Sequence, residues 1–342
     1  MDLELTPEQE ALVDVFGSLA ERACPVPRVR DHEALGFAPG LWEQLRTAGA
    51  PGMGVPETRG GGGATVLDLA LVAEALGRRL APAPFVEHTV AARLLGRVDA
   101  LTDAITDGTE IATLALRPAA GGRARLVPAG AVATVVVALD GDELVCAHDE
   151  PPGVAVPNLA SAPLADRALA PPGTKRRVLA AGAEARALLA GALDEWRVLT
   201  AALLAGVGAG ALDVARAYVC EREQFGVPIG SFQAVQHSLA DLAVALDGAR
   251  LLFSKAAWAT DEQRDDAPWL AGAAFLFCTE QARRASERGL HFHGGYGFME
   301  EYDIQLFYRR AKGWALVLDE PRREHLRLAD VRYGAVGASG AA

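Results

Sequence analysis

The chain has 342 residues, of which 51% are hydrophobic and 23% charged, a balance that suits a soluble globular protein with a sizeable core and two or three domains. Its net charge of −11 excludes broad binding along a nucleic-acid backbone, which needs a basic face. The four cysteines, Cys24, Cys146, Cys220 and Cys278, form no CxxC pair, so neither a metal cluster nor a disulfide framework is expected, and a reducing cytoplasm fits.

The N-terminal stretch MDLELTPEQEAL is acidic and polar and lacks the basic and apolar regions of a secretory signal. Thr6 can cap a first helix, Pro7 suits its first position, and Gln9 completes a capping box. Leu12, Val13, Phe16, Leu19 and Ala20 then follow helical spacing. A second short helix is expected over Leu41–Ala48. GVPETRGGGG reads as a loop. Thr65 caps a third helix whose Leu67, Leu71, Val72 and Leu76 share one face. These elements form an expected helical domain over residues 1–105.

The pattern then changes to short β-type runs: IATLAL, ATVVVAL, ELVCA, GVAV and RRVLAA, with frequent Pro and Gly between them. They predict a small β domain over 106–180, as an antiparallel barrel or sandwich. Helical periodicity returns for a C-terminal domain over 181–332. Four long helices are expected: Ala183–Cys220, Phe232–Asp261, Pro268–Gly289 and Tyr302–Leu316. The fold class is therefore mainly α with a small β domain. Residues 333–342 read as a flexible tail. The most apolar run, Val198–Leu212, holds 15 residues. A membrane span needs about 20, so the run reads as a buried core helix.

Three segments carry candidate chemistry. In REQFGVPIGSFQAVQHSLADL, Arg222 offers forked donors for phosphate oxygens at a helix end. The next helix starts near Ser231 with unpaired amides, and Gln233 can add its own donor. The plainer role for Arg222 is pairing with a helix dipole. In HFHGGYGF, two glycines allow close approach to the backbone, and Tyr296 and Phe298 offer flat apolar area; a simple glycine cap is the alternative. GVGAG at Gly206–Gly210 resembles part of a phosphate-binding fingerprint. It has no strand before it and reads as helix packing.

Taken together, these segments resemble the acyl-CoA dehydrogenase family across nearly the whole chain. The match is carried by LTPEQEALVDVFGSLAE, by LRTAGAPGMGVPETRGGGGATVLDLALVAEALGRRLAPAPF, by AYVCEREQFGVPIGSFQAVQHSLADLAVALDGARLLFSKAAW and by HFHGGYGFMEEYDIQLFYRRAK. The resemblance implies a helical domain, a β domain and a C-terminal four-helix bundle. It also implies FAD, an acyl-CoA substrate and tetramers built as dimers of dimers. Arg222, Phe225, Gln233, His291, Gly294 and Gly295 would contact the ADP half of an FAD held mainly by a neighbouring subunit. Relatives often carry glutamine where His291 stands. The family reaction takes an α-proton to a glutamate and a β-hydride to the flavin, then passes electrons to an electron-transfer flavoprotein or similar acceptor.

Two departures stand out. The glutamate base that many relatives place after the YRxAK helix falls at Leu318, with Asp319 and Glu320 just beyond. The position a minority use, before an arginine matching Arg197, holds Trp196, with Glu195 one residue back. A one-residue step turns a helical side chain by about 100°. Asp319, Glu320 and Glu195 are thus displaced candidates, and Arg197 is a candidate substrate contact. The middle domain shows LALRPAAGG in place of the flavin-facing Thr-Glu-Pro/Ser and Trp-Ile-Thr segments.

Both losses fit the short subunit of actinobacterial α2β2 acyl-CoA dehydrogenases, which act on bulky thioesters including steroid side chains. A full-length partner subunit would then supply the base. The competing expectations are a self-sufficient homo-oligomer, a flavin-free scaffold, and a monooxygenase-like or nitroalkane-oxidase-like relative.

Overall fold

The computed structural model describes residues 4–148, 152–170 and 174–334. The expected tail at 333–342 lies largely outside them. Helix α1 (Pro7–Ala23) starts as its sequence dictates: the Gln9 N–H donates to Thr6 Oγ1 at 3.3 Å, and the Thr6 N–H donates to Gln9 Oε1 at 3.2 Å. Helices α2 (Val26–Asp31) and α3 (Pro39–Thr47) follow. Helix α4 (Val66–Arg78) opens on a second reciprocal cap, with Asp68 N–H on Thr65 Oγ1 and Thr65 N–H on Asp68 Oδ2. Helix α5 (Phe85–Arg97) and the short α6 (Asp103–Thr106) complete this stretch.

The strands are β1 (Ala112–Leu114), β2 (Arg123–Val127), β3 (Val135–Asp140), β4 (Glu143–His148), β5 (Ala165–Ala168) and β6 (Lys175–Ala181). Four make one sheet in the order β1-β3-β4-β6, and β2 pairs with β5. The sheet is mixed, because β1 runs parallel to β3; a purely antiparallel barrel or sandwich is not what forms. The strands β2 and β5 were not expected. RARLV carries two arginines, and ADRA has four residues with Arg167 inward. Arg167 is buried because its guanidinium donates to the carbonyls of Gly130, at 3.0 Å, and Ala133. GVAV supplies only the single bridge Ala155–Ala165. Ala124, Val127, Val136, Ala138, Val145 and Leu169 form the core here.

Then come α7 (Gly182–Glu221), the hairpin β7 (Glu223–Gln224) and β8 (Val227–Pro228), α8 (Gln233–Asp261), α9 (Ala267–His293), α10 (Ile304–Ala315) and α11 (Pro321–Tyr333). Helix α9 continues four residues past the expected end at Gly289, so His291 and His293 lie in its last turn. His293 Nδ1 lies 2.7 Å from the Gly289 carbonyl. On α8, Leu242, Leu246, Ala249 and Phe253 are buried, whereas Ala243 is exposed. Helix α11 is an unforeseen fifth helix. Its only buried residue is Glu324, so it lacks the apolar stripe by which helices are read.

The chain divides into two compact units. One comprises Met1–Val26, Ala70–Ala81 and Arg197–Ala342; the other comprises Pro27–Leu69 and Pro82–Trp196. Inside the first, α4 and α7 touch backbone to backbone. A Cβ on Gly206 would fall inside contact distance of the Glu74 carbonyl, and one on Gly77 inside that of Leu203. The GVGAG run is thus a packing surface. By length and composition α7 could cross a bilayer, yet 72% of its most apolar window is buried inside the protein.

These glycines give opposite expected outcomes within one helix. A Cβ on Gly191 would meet nothing within 4 Å, so Gly191→Ala should gain about 1 kcal/mol from helix propensity. Gly206→Ala gains the same propensity but forces two backbones apart, an overpacking cost of about 1–3 kcal/mol, so it should be destabilising. Urea unfolding of the two variants would show opposite shifts of midpoint. Equal shifts would mean that α4 and α7 do not pack this way.

Candidate functional site

At the end of α7 the chain turns sharply. The Arg222 N–H still donates to the Tyr218 carbonyl at 2.8 Å, and the Ile229 N–H donates back to the Arg222 carbonyl at 2.8 Å. Between them the hairpin turns through Phe225 and Gly226, both at positive φ (56° and 81°). That is the geometry of a two-residue hairpin turn with primed twist. The Phe225 ring is 93% exposed and meets Phe232 edge-on at 6.2 Å. Phe232 is the N-cap of α8 and supplies no capping side chain. The first amides of α8, beginning at Gln233, therefore keep their positive character.

The glycine turn is tied to the same place. Gly294 ends α9 at φ 61° and ψ −137°, a conformation reserved for glycine. The Arg222 guanidinium lies 5.7 Å from the Tyr296 ring centre, within cation–π range. Tyr296 stacks on Tyr302 at 5.2 Å, and Tyr218 stacks on His293 at 3.8 Å. Among the described residues no carboxylate pairs with Arg222. Gly297 must be glycine for internal reasons, since a Cβ would strike the Leu290 carbonyl; Cβ atoms on Gly294 and Gly295 would meet nothing within 4 Å.

The Arg222–Tyr296 and Phe225–Phe232 contacts tie the hairpin to the segments that carry Gly294 and Gly295 and Gln233. His291 instead lines a groove of about 550 Å³ between α8 and α9, with His237, Asp241, Arg284 and Arg288. A cation, open amides, bare glycine backbone and exposed flat rings suit a diphosphate joined to an aromatic base. They fit the ADP end of FAD.

The acidic candidates behave differently. Glu195 is buried, with Oε2 on Arg93 Nε at 2.9 Å and Oε1 on Arg97. Arg93 also donates to the Gly54 carbonyl at 2.8 Å. Burial alone would raise the proton affinity of Glu195, but the two guanidiniums outweigh it and hold the carboxyl below its usual range. A carboxylate held that way makes a poor base near neutrality, so the geometry argues against the Glu195 reading. Arg197 does not offer its fork to a substrate either. It grips Glu324 twice, at 2.8 and 3.2 Å, and Arg327 holds the same carboxylate at 2.8 Å. Asp319 accepts the Glu320 N–H at 2.8 Å and faces Arg323 at 3.1 Å. Glu320 is exposed at the start of α11. Neither is buried. Leu318 and Trp196, at the usual base positions, are buried.

One acid was missed. Glu87 lies in the first turn of α5, half-buried between Phe85, Val86 and Val90 in sequence. Burial pushes its carboxyl up to about 7, against a small opposing effect of its own backbone N–H. Its only signal in the sequence is an acid inside an apolar run, PFVEHTV. Its neighbour His88 is structural: burial lowers it to about 4, and its Nδ1 accepts the Ala112 N–H at 3.2 Å.

Comparison with known proteins bears on this geometry. Residues 6–105 match the acyl-CoA dehydrogenase N-terminal domain and residues 186–316 its C-terminal domain. The chain is 31% identical over 335 residues to the acyl-CoA dehydrogenase IpdE2 of Mycolicibacterium smegmatis, covering 95% of this chain and 98% of that protein. It is 30% identical over 355 residues to the benzylmalonyl-CoA dehydrogenase of Aromatoleum aromaticum, covering 90% and 93%. Among solved structures, the ChsE4–ChsE5 complex of Mycobacterium tuberculosis superposes with a TM-score of 0.87 at 25% identity, covering 98% of this chain and 100% of the other. A steroid acyl-CoA dehydrogenase variant, Tcur3481–Tcur3483, gives 0.82 at 26%, covering 95% and 97%.

Glu195→Gln should leave Arg93 and Arg97 facing a neutral amide and cost about 3 kcal/mol at pH 7. The folded carboxyl binds its proton less tightly than the unfolded one. Its contribution is therefore complete above the unfolded value of about 4.3 and is lost as pH falls through the lower folded value. Denaturant unfolding at pH 7, 5 and 3 should show the gap to wild type narrowing only below about pH 4. A gap that persists unchanged at pH 3 would mean that the ion pairs do not stabilise the fold.

Proposed function

The chain belongs to the acyl-CoA dehydrogenase family, and we propose that it serves there as a subunit lending half of an FAD site to a full-length partner that supplies the base. One observation carries this reading. Arg222 has no carboxylate partner among the described residues, the start of α8 is uncapped and Gly294 and Gly295 are bare, whereas Glu195, Asp319, Glu320 and Arg197 are engaged or exposed. Arg222 would hold the diphosphate, with Gln233 and the α8 amides adding donors. Phe225 would cover the adenine, and Gly294 and Gly295 would admit the cofactor against bare backbone. His291 would contact the same half from its groove. Bound FAD would supply the hydride acceptor for α,β-dehydrogenation of an acyl-CoA. An electron-transfer flavoprotein or similar acceptor would take the electrons onward. The relatives named for steroid and benzylmalonyl thioesters favour a bulky acyl group.

The visible spectrum of the purified chain tests this directly. Alone, it should carry little flavin. Co-expressed with a full-length homologue, it should co-purify with FAD, and Arg222→Ala should lower FAD occupancy about tenfold or more. Stoichiometric flavin in the single chain would overturn the shared-site reading.

Glu87 favours a second reading, in which the chain is self-sufficient and keeps an acid of its own. A raised pKa marks a carboxyl that costs stability once pH climbs above its unfolded value, with the full penalty reached above about 7. Glu87→Gln should therefore match wild type at pH 4 and exceed it in stability at pH 8. If the single chain binds flavin and turns over, loss of turnover in Glu87→Gln would assign the base. Unchanged turnover would end this second reading.

A further inference from the structure

Tyr302 stands behind the groups gathered at the hairpin and meets three other rings. Tyr296 stacks on it with 5.2 Å between centres, and Tyr218 and His293 meet it edge-on at 6.4 and 5.9 Å. Tyr218 and His293 stack on each other at 3.8 Å. Rings from α7, α9 and the segment before α10 thus close into one cluster. The local backbone brings them together. After the tight helical turn Gly294–Phe298, the Met299 N–H donates to the Tyr296 carbonyl at 3.0 Å, and the Tyr302 N–H donates to the Met299 carbonyl at 3.2 Å. These two steps carry the chain back until ring 302 faces ring 296. Two residues on, Ile304 is buried against Gly289 of α9, where a Cβ would strike it. That anchor fixes the start of α10, and Tyr302 with it.

The stack bears on Arg222. A long exposed arginine has many rotamers to choose among, and no carboxylate fixes this one among the described residues. It lies against the face of Tyr296, 5.7 Å from the ring centre. Tyr296 is itself 41% exposed and sits between Gly295 and Gly297. Glycine neighbours leave the backbone free, so the stack on Tyr302 is what holds the ring. The Tyr302 hydroxyl makes no hydrogen bond among the described residues, so the flat ring rather than its polar end carries the contact.

We propose that Tyr302 is a positioning residue for the diphosphate site. It backs Tyr296, Tyr296 carries the Arg222 guanidinium, and the guanidinium is held ready for phosphate oxygens. A donor already held in place loses less freedom on binding. The inference rests on the shared-site reading and adds to it a residue that acts through Tyr296 and Arg222 rather than by touching FAD.

Two readouts test it, and the first needs no cofactor. In NMR spectra of the single chain with isotope-labelled arginine, the Arg222 side-chain protons should show the upfield shift of a group over a ring face. Tyr302→Leu should remove about half of that shift or more, whereas Tyr302→Phe, which keeps the ring, should retain it. The second readout is FAD affinity of the complex with a full-length homologue, titrated by flavin absorbance. Tyr302→Leu should weaken it about fivefold, the scale of one aromatic pair, and Tyr302→Phe should match wild type. In an Arg222→Ala background Tyr302→Leu should cost nothing further, since no guanidinium is left to position. A merely structural role would cost the same factor in both backgrounds.

An Arg222 shift that survives Tyr302→Leu overturns the proposal, and so does an equal loss of FAD affinity in both backgrounds. If the shift responds but Arg222→Ala leaves FAD affinity unchanged, Tyr302 still positions Arg222 and it is the shared-site reading that fails. Circular dichroism would show each variant folded. Should Tyr302→Leu not fold, Tyr296→Leu removes the other ring of the same stack and goes through the same affinity cycle with Arg222→Ala.

Discussion

A buried charge must be paired, and that constraint decides what this chain can do chemically. On α7, Glu195 and Arg197 stand on either side of Trp196, and both are buried. Within one unit, Glu195 is shared by two guanidiniums. Within the other, Arg197 and Arg327 share Glu324. Removing one partner from such an arrangement leaves an uncompensated charge, at about 3–5 kcal/mol. Each group is therefore fixed in its ionised form by its surroundings. A base has to accept a proton near working pH, and a substrate-binding arginine has to offer free donors. The network supplies neither, and its stability is the reason.

The same requirement shapes α11. A helix with no apolar stripe has little reason to dock on hydrophobic grounds. It docks by sending Glu324 inward to Arg197, over Gly272. A side chain on Gly272 would collide with Arg327 and Leu328. The glycine and the ion pair are thus two parts of one contact. Together they hold the segment that follows Leu318 against α9 and α7, where an acidic loop would otherwise be looked for.

These contacts mark where sequence reading reaches its limit. Caps at Thr6 and Thr65, the helical blocks, and the packing role of Gly206 were all legible, because they follow from local spacing. Strands β2 and β5 were not, because Arg167 is buried through carbonyls supplied by distant residues. Helix α11 was missed because its only buried side chain is charged. For the site, the types and spacing of Arg222, Gln233 and the glycines were visible. The engagement of Glu195 and Arg197 was not, since Arg93 and Glu324 are about 100 residues away or more. Glu87 was hidden for the opposite reason: nothing pairs with it in the sequence pattern, and its raised proton affinity comes only from burial.

Phe225 is held at a local cost that its contacts within the chain do not offset. Its φ of 56° is unfavourable for a bulky residue by about 1–2 kcal/mol. Asparagine or aspartate would suit that turn position better. The ring gains little from burial in return, at 93% exposed, and meets Phe232 edge-on. Folding of the single chain gives no reason to keep an aromatic ring there, since both local terms oppose it. A ring that becomes covered on binding does: burying an aromatic side chain recovers about 1.5–3 kcal/mol, enough to offset the strain. On the proposed reading, a flat, anionic group lying across the hairpin tip, Arg222 and the bare glycine backbone at Gly295 would supply that cover.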